Sequence, residues 1–128
     1  EWIAKGEDIA ILAEGHMLDA AYGAVERLRA EGKNPSLVNI RFIRPLDGEI
    51  LRAVAEDCSH IFTVEDNVRD GGFGSAVLEF YSDHDIAANV KNLAFPDVYI
   101  EQGTQAQLFA KYGLDAEGIY KKVKAFVK

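Results

Sequence analysis

The sequence holds a single cysteine, Cys58, among its 128 residues. A lone thiol forms no internal disulfide and cannot build a multi-cysteine metal site. On the apolar face of a predicted helix it reads as a small core hydrophobe rather than a nucleophile. Cysteine this sparse points to a reducing compartment, hence to a cytoplasmic protein. Basic residues are also in short supply, with fourteen against twenty-one acids and a formal net charge of −7. That balance repels phosphates, which argues against nucleic acid or an anionic membrane as partner. No apolar run approaches the ~18 residues of a membrane span. The opening Glu1-Trp2-Ile3-Ala4-Lys5 lacks the basic and apolar regions of a signal peptide. Glu1 is not an initiator methionine, and the one methionine, Met17, falls inside a predicted helix. The chain is therefore expected to be cut from a longer protein, and it need not hold a complete active site.

With 48% hydrophobic and 27% charged residues, the composition is that of one globular domain spanning residues 1–128. It has no internal repeat, low-complexity tract or linker. Trp2–Ala4 reads as a short edge strand whose tight turn, Lys5-Gly6-Glu7, makes it antiparallel to its neighbour. Ile9–Ala13 is a continuous apolar run, the pattern of a strand covered on both faces. Met17, Ala20, Ala21, Ala24, Val25 and Leu28 recur at helical spacing, and Gly32 closes that helix. Leu37–Phe42 is the next strand, followed by the loop Arg44–Asp47. Asp47 is placed to cap a helix over Gly48–Cys58, whose buried stripe is Ile50, Leu51, Val54 and Ala55.

A third cycle follows: strand Ile61–Glu65, a glycine-rich turn, then helix Gly74–Ser82. A weaker strand runs over Val90–Phe95 and stops before Pro96. Thr104 and Asp115 are placed to cap two closing helices separated by Gly113, and the last, Glu117–Val127, buries Ile119, Tyr120, Val123 and Val127. Strands and helices alternating on short connections give parallel strands joined by right-handed crossovers. The expected fold is a three-layer α/β/α domain with four or five strands.

In such sheets ligands bind beyond the carboxyl ends of the strands. That edge collects Glu14, Gly15 and His16; Arg41 and Arg44; Glu65, Asp66 and the turn Gly71-Gly72-Phe73-Gly74; and Pro96 with Asp97. The turn offers backbone N–H groups at a helix start, which suits an anion. Yet it is neither G-x-G-x-x-G nor a Walker loop, and the two acids before it repel phosphate. The preferred reading is that the glycines permit close packing of helix, strand and a neighbouring domain. Arg41 and Arg44 could clamp a carboxylate or phosphate, or pair with Glu65, Asp66 or a partner surface. His16, His60 and His84 show no metal spacing, and Asp83-His84-Asp85 reads as a helix terminus. His16 is the one histidine to test as an acid or base, but it lacks an evident serine or cysteine partner. Ser75 is no nucleophile elbow, since Phe-Gly-Ser-Ala-Val is not Gly-x-Ser-x-Gly. No catalytic, cofactor-binding or metal residue is assigned.

Arg41-Phe42-Ile43-Arg44-Pro45-Leu46-Asp47, Val64-Glu65-Asp66-Asn67 and Gly71-Gly72-Phe73-Gly74-Ser75-Ala76-Val77 together resemble the C-terminal domain of the transketolase superfamily. Phe95-Pro96-Asp97, Ile100-Glu101-Gln102-Gly103 and Tyr112-Gly113-Leu114-Asp115-Ala116-Glu117-Gly118-Ile119 sharpen this toward the 1-deoxy-D-xylulose-5-phosphate synthase family. Gln102 departs from that pattern, where histidine is usual. The resemblance covers essentially the whole chain. It implies a five-stranded mixed sheet with one antiparallel edge strand. It also implies a thiamine-diphosphate and magnesium enzyme that condenses pyruvate with glyceraldehyde 3-phosphate, feeding isoprenoid precursor, thiamine and pyridoxal synthesis. Cofactor, metal and catalytic histidines then belong to the preceding domains of the same chain, in a homodimer. This domain would support packing and dimerisation through an edge formed by Arg41, Arg44, Glu65, Asp66, Gly71, Gly72 and Phe73. The alternative is an interaction or regulatory ligand-binding domain of a transketolase or an oxo-acid dehydrogenase beta subunit.

Overall fold

The computed structural model describes residues 1–40, 46–68, 72–95, 107 and 110–127, without the side chains of 66–68 and 95. Among the described residues the strands are β1 (Trp2–Ala4), β2 (Asp8–Glu14), β3 (Ser36–Ile40), β4 (Cys58–Val68) and β5 (Val90–Phe95). The helices whose bounds are described are α1 (Leu18–Ala30), α2 (Gly48–Asp57), α3 (Phe73–Asp83) and α4 (Ala116–Val127), with a single 3₁₀ turn at Gly15–Met17 leading into α1; Gln107, Ala110 and Lys111 are helical as well.

The strands form one sheet in the order β1-β3-β2-β4-β5. Every pairing is parallel except β1 on β3. The five-stranded mixed sheet with one antiparallel edge is thus as expected. The neighbour of β1 is β3, however, and not the β2 that follows it in the chain. β2 is hydrogen-bonded on both sides, to β3 and β4, and has no free edge to offer.

Alternation along each strand sorts the core into two layers. Ile9, Ile11 and Ala13 of β2, Leu37 of β3, Phe62 and Val64 of β4 and Leu93 of β5 pack under α1 and α4. Ala10 and Leu12 of β2, Val38 and Ile40 of β3 and Ile61 of β4 pack under α2 and α3. Burial of the whole run Ile9–Ala13 confirms a strand covered on both faces. Each buried Leu, Ile or Phe contributes roughly 1.5–3 kcal/mol relative to exposure.

The helix ends follow their residues. Gly32 has φ +90, its N–H bonds to the Arg29 carbonyl and that of Lys33 to Leu28, a Schellman motif closing α1. Asp47 accepts from the N–H groups of Glu49 and Ile50 at 3.1 and 3.2 Å, capping α2. Asp115 caps α4 in the same way through Gly118 N–H. Thr104 lies outside the described residues.

Several boundaries shift: β4 runs Cys58–Val68 rather than Ile61–Glu65, α3 runs Phe73–Asp83 rather than Gly74–Ser82, and the junction of α2 with β4 moves as well. The helix expected to reach Cys58 ends at Asp57, and Cys58 adopts φ −126, ψ 131 as the first residue of β4, paired with Asp8. Helix passes into strand without a loop residue, so no turn signal marks the change. Cys58 is still a core residue, 6% exposed. No described helix is long and apolar enough to cross a membrane.

Candidate functional site

β4 carries Ile61, Thr63 and Glu65 on the face turned toward α3. Ile61 belongs to the core there, but Thr63 and Glu65 are polar, and both are fully buried. A buried carboxylate is costly unless it is hydrogen-bonded. Glu65 meets that cost at the N-terminus of α3, where its Oε1 accepts from Phe73 N–H at 2.9 Å and its Oε2 from Gly74 N–H at 2.7 Å.

The first N–H groups of a helix have no intrahelical acceptor and carry the positive end of its dipole. The N-cap residue of α3 is Gly72, with no side chain to serve them. The carboxylate from the preceding strand takes that role through charge-assisted hydrogen bonds. Its approach also explains the glycines. A Cβ on Gly72 would collide with the Glu65 carboxylate, and one on Gly74 would lie 2.8 Å from Glu65 Oε2 and 2.8 Å from Asn92 Cγ. Asn92 of β5 completes the cluster by accepting from Thr63 Oγ1 at 2.6 Å.

The glycine turn therefore does present an anion-binding helix start, and the chain's own carboxylate occupies it. Of the residues expected at this edge, Glu65, Gly72 and Phe73 are brought together. Phe73 is fully buried in the core beneath α3, so its contacts are with the domain itself. Arg41, Arg44 and Gly71 lie outside the described residues, as does the side chain of Asp66. Sequence reading missed Thr63, Asn92 and the capping role of Glu65. The signal was present: an acid at a core-facing position of β4, followed by a helix whose N-cap position is glycine rather than Ser, Thr, Asp or Asn.

The other chemical candidates are scattered. His16 is exposed in the 3₁₀ turn after β2. His60 Nδ1 lies 3.1 Å from Ser59 Oγ at the opposite end of the sheet. His84 stacks on Phe80 at 4.2 Å, with Nδ1 2.8 Å from the Phe80 carbonyl, which makes it a polar group at the end of α3. Among the described residues no group of three or more His, Cys, Asp or Glu could hold a metal ion. Burial pushes the Cys58 thiol up, against a weaker opposing hydrogen bond from Ser36, so the reactive thiolate is disfavoured.

Two further polar features close the structure around α4. Glu31, after α1, receives Lys124 Nζ at 2.8 Å and the Tyr120 hydroxyl, while Arg27 sits 4.1 Å over the Tyr120 ring. An open groove of about 580 Å³ lies beside the start of α4. Its lysines are engaged, Lys122 with the Tyr112 carbonyl at 2.8 Å, Lys121 with Glu117 at 3.5 Å and Lys111 over the Tyr112 ring at 5.7 Å.

Residues 1–119 match the family model described as "Transketolase, C-terminal domain". The chain is 46% identical over 127 residues to a 1-deoxy-D-xylulose-5-phosphate synthase of Syntrophotalea carbinolica, covering 99% of this chain and 20% of that protein. It is 44% identical over 128 residues to the enzyme of that name from Aquifex aeolicus, covering 100% of this chain and again 20% of the relative. The chain thus spans about a fifth of the length of these curated relatives. Among solved structures, a split-gene transketolase described as an inactive β4 tetramer superposes with a TM-score of 0.90 at 31% identity, over 99% of this chain and 41% of that one. A Pichia stipitis transketolase superposes at 0.72 with 17% identity over 99% of this chain and 18% of that one, a likeness of fold alone.

Proposed function

The chain belongs to the transketolase C-terminal domain family, and from this we propose that it is the non-catalytic C-terminal domain of a 1-deoxy-D-xylulose-5-phosphate synthase. The longer protein would use thiamine diphosphate and magnesium to condense pyruvate with glyceraldehyde 3-phosphate, releasing carbon dioxide. This domain would supply a rigid body against which the preceding domains of the same chain pack, and would support a homodimer. The edge residues Arg41, Arg44, Glu65, Asp66, Gly71, Gly72 and Phe73 would lie at or behind that contact.

The observation that carries the non-catalytic reading is the occupancy of the α3 N-terminus. Its first N–H groups, the natural place for a phosphate in a fold of this kind, are held by Glu65 at 2.9 and 2.7 Å. A diphosphate would have to displace a fully buried carboxylate and would meet its negative charge. The start of α3 therefore does not fit a diphosphate, and no chemical step is assigned to its residues. The relatives named for the synthase, matched across nearly all of this chain, support the choice of parent enzyme.

The test is an assay of the longer protein that contains this chain. The proposal expects carbon dioxide release that requires pyruvate, glyceraldehyde 3-phosphate and thiamine diphosphate together. Transfer of a two-carbon unit between ketose and aldose phosphates would move the domain to a transketolase instead. Oxidative decarboxylation of an oxo acid alone would move it to a dehydrogenase beta subunit.

A further inference from the structure

We draw no further inference here: the strongest candidate, the buried Thr63–Glu65–Asn92 cluster beneath the N-terminus of α3, belongs to the site already described, and its backbone donors are taken by the chain's own carboxylate.

Discussion

Glu65 reaches nine residues along the chain to accept a hydrogen bond from Gly74 N–H at 2.7 Å, tying the end of β4 to the first turn of α3. Strand, helix and glycine turn are specified together by this bond and its companion at Phe73. Glu65→Ala leaves both N–H groups buried without an acceptor and should cost about 2–3 kcal/mol. Glu65→Gln keeps one acceptor and should cost less. Urea denaturation of the three proteins gives the order; an Ala variant as stable as wild type would remove the capping role.

Gly74→Ala places a methyl group 2.8 Å from both Glu65 Oε2 and Asn92 Cγ. Overpacking of this kind should destabilise by roughly 1–3 kcal/mol. In a Glu65→Ala background, one of the two obstacles is gone, so the same substitution should cost less. The double-mutant cycle then gives a coupling of at least ~0.5 kcal/mol. Strict additivity would mean that the glycine is there for some other reason.

Much of the fold was legible because its cues are local. The run Ile9–Ala13 is short and continuously apolar, the pattern of a strand covered on both faces, and Asp47, Gly32 and Asp115 punctuate their helices as their side chains and φ values require. The partner of β1 was not legible. A tight turn gives orientation, but the seat on β3 follows from β2 being paired on both sides, which is a property of the whole sheet. The start of β4 was hidden because α2 runs into Cys58 without a turn residue. At the site, Gly72 and Gly74 stood out in the sequence, but their reason lies in two side chains that reach them from β4 and β5.

Tyr81 donates its hydroxyl to the Leu51 carbonyl at 2.7 Å, joining α3 to α2 inside the core. Burial raises its pKa, so the hydroxyl stays neutral and keeps donating at neutral pH. Tyr81→Phe should lower stability by about 1 kcal/mol while preserving the far-UV spectrum. Unchanged denaturation would mean that the Leu51 carbonyl is equally well served by water.

Glu31 has its pKa lowered by the Lys124 hydrogen bond first and the Tyr120 hydrogen bond second. A carboxylate with a depressed folded pKa contributes stability that is present above its unfolded pKa and lost as pH falls through the folded one. Glu31→Gln should therefore lower the urea midpoint at neutral pH. The gap to wild type should close below the ordinary glutamate range, near pH 4 and under. A gap that persisted in acid would show that the residue acts through packing rather than charge. Because the group is exposed, the effect should also shrink in high salt.

A domain that supplies packing and leaves the cofactor to the preceding domains of the proposed synthase should not bind thiamine diphosphate by itself. Calorimetric titration of thiamine diphosphate with magnesium tests this most directly, run side by side on this chain and on the longer protein. Saturable heat is expected for the longer protein and none for the chain of 128 residues. Micromolar binding by the chain alone would contradict this.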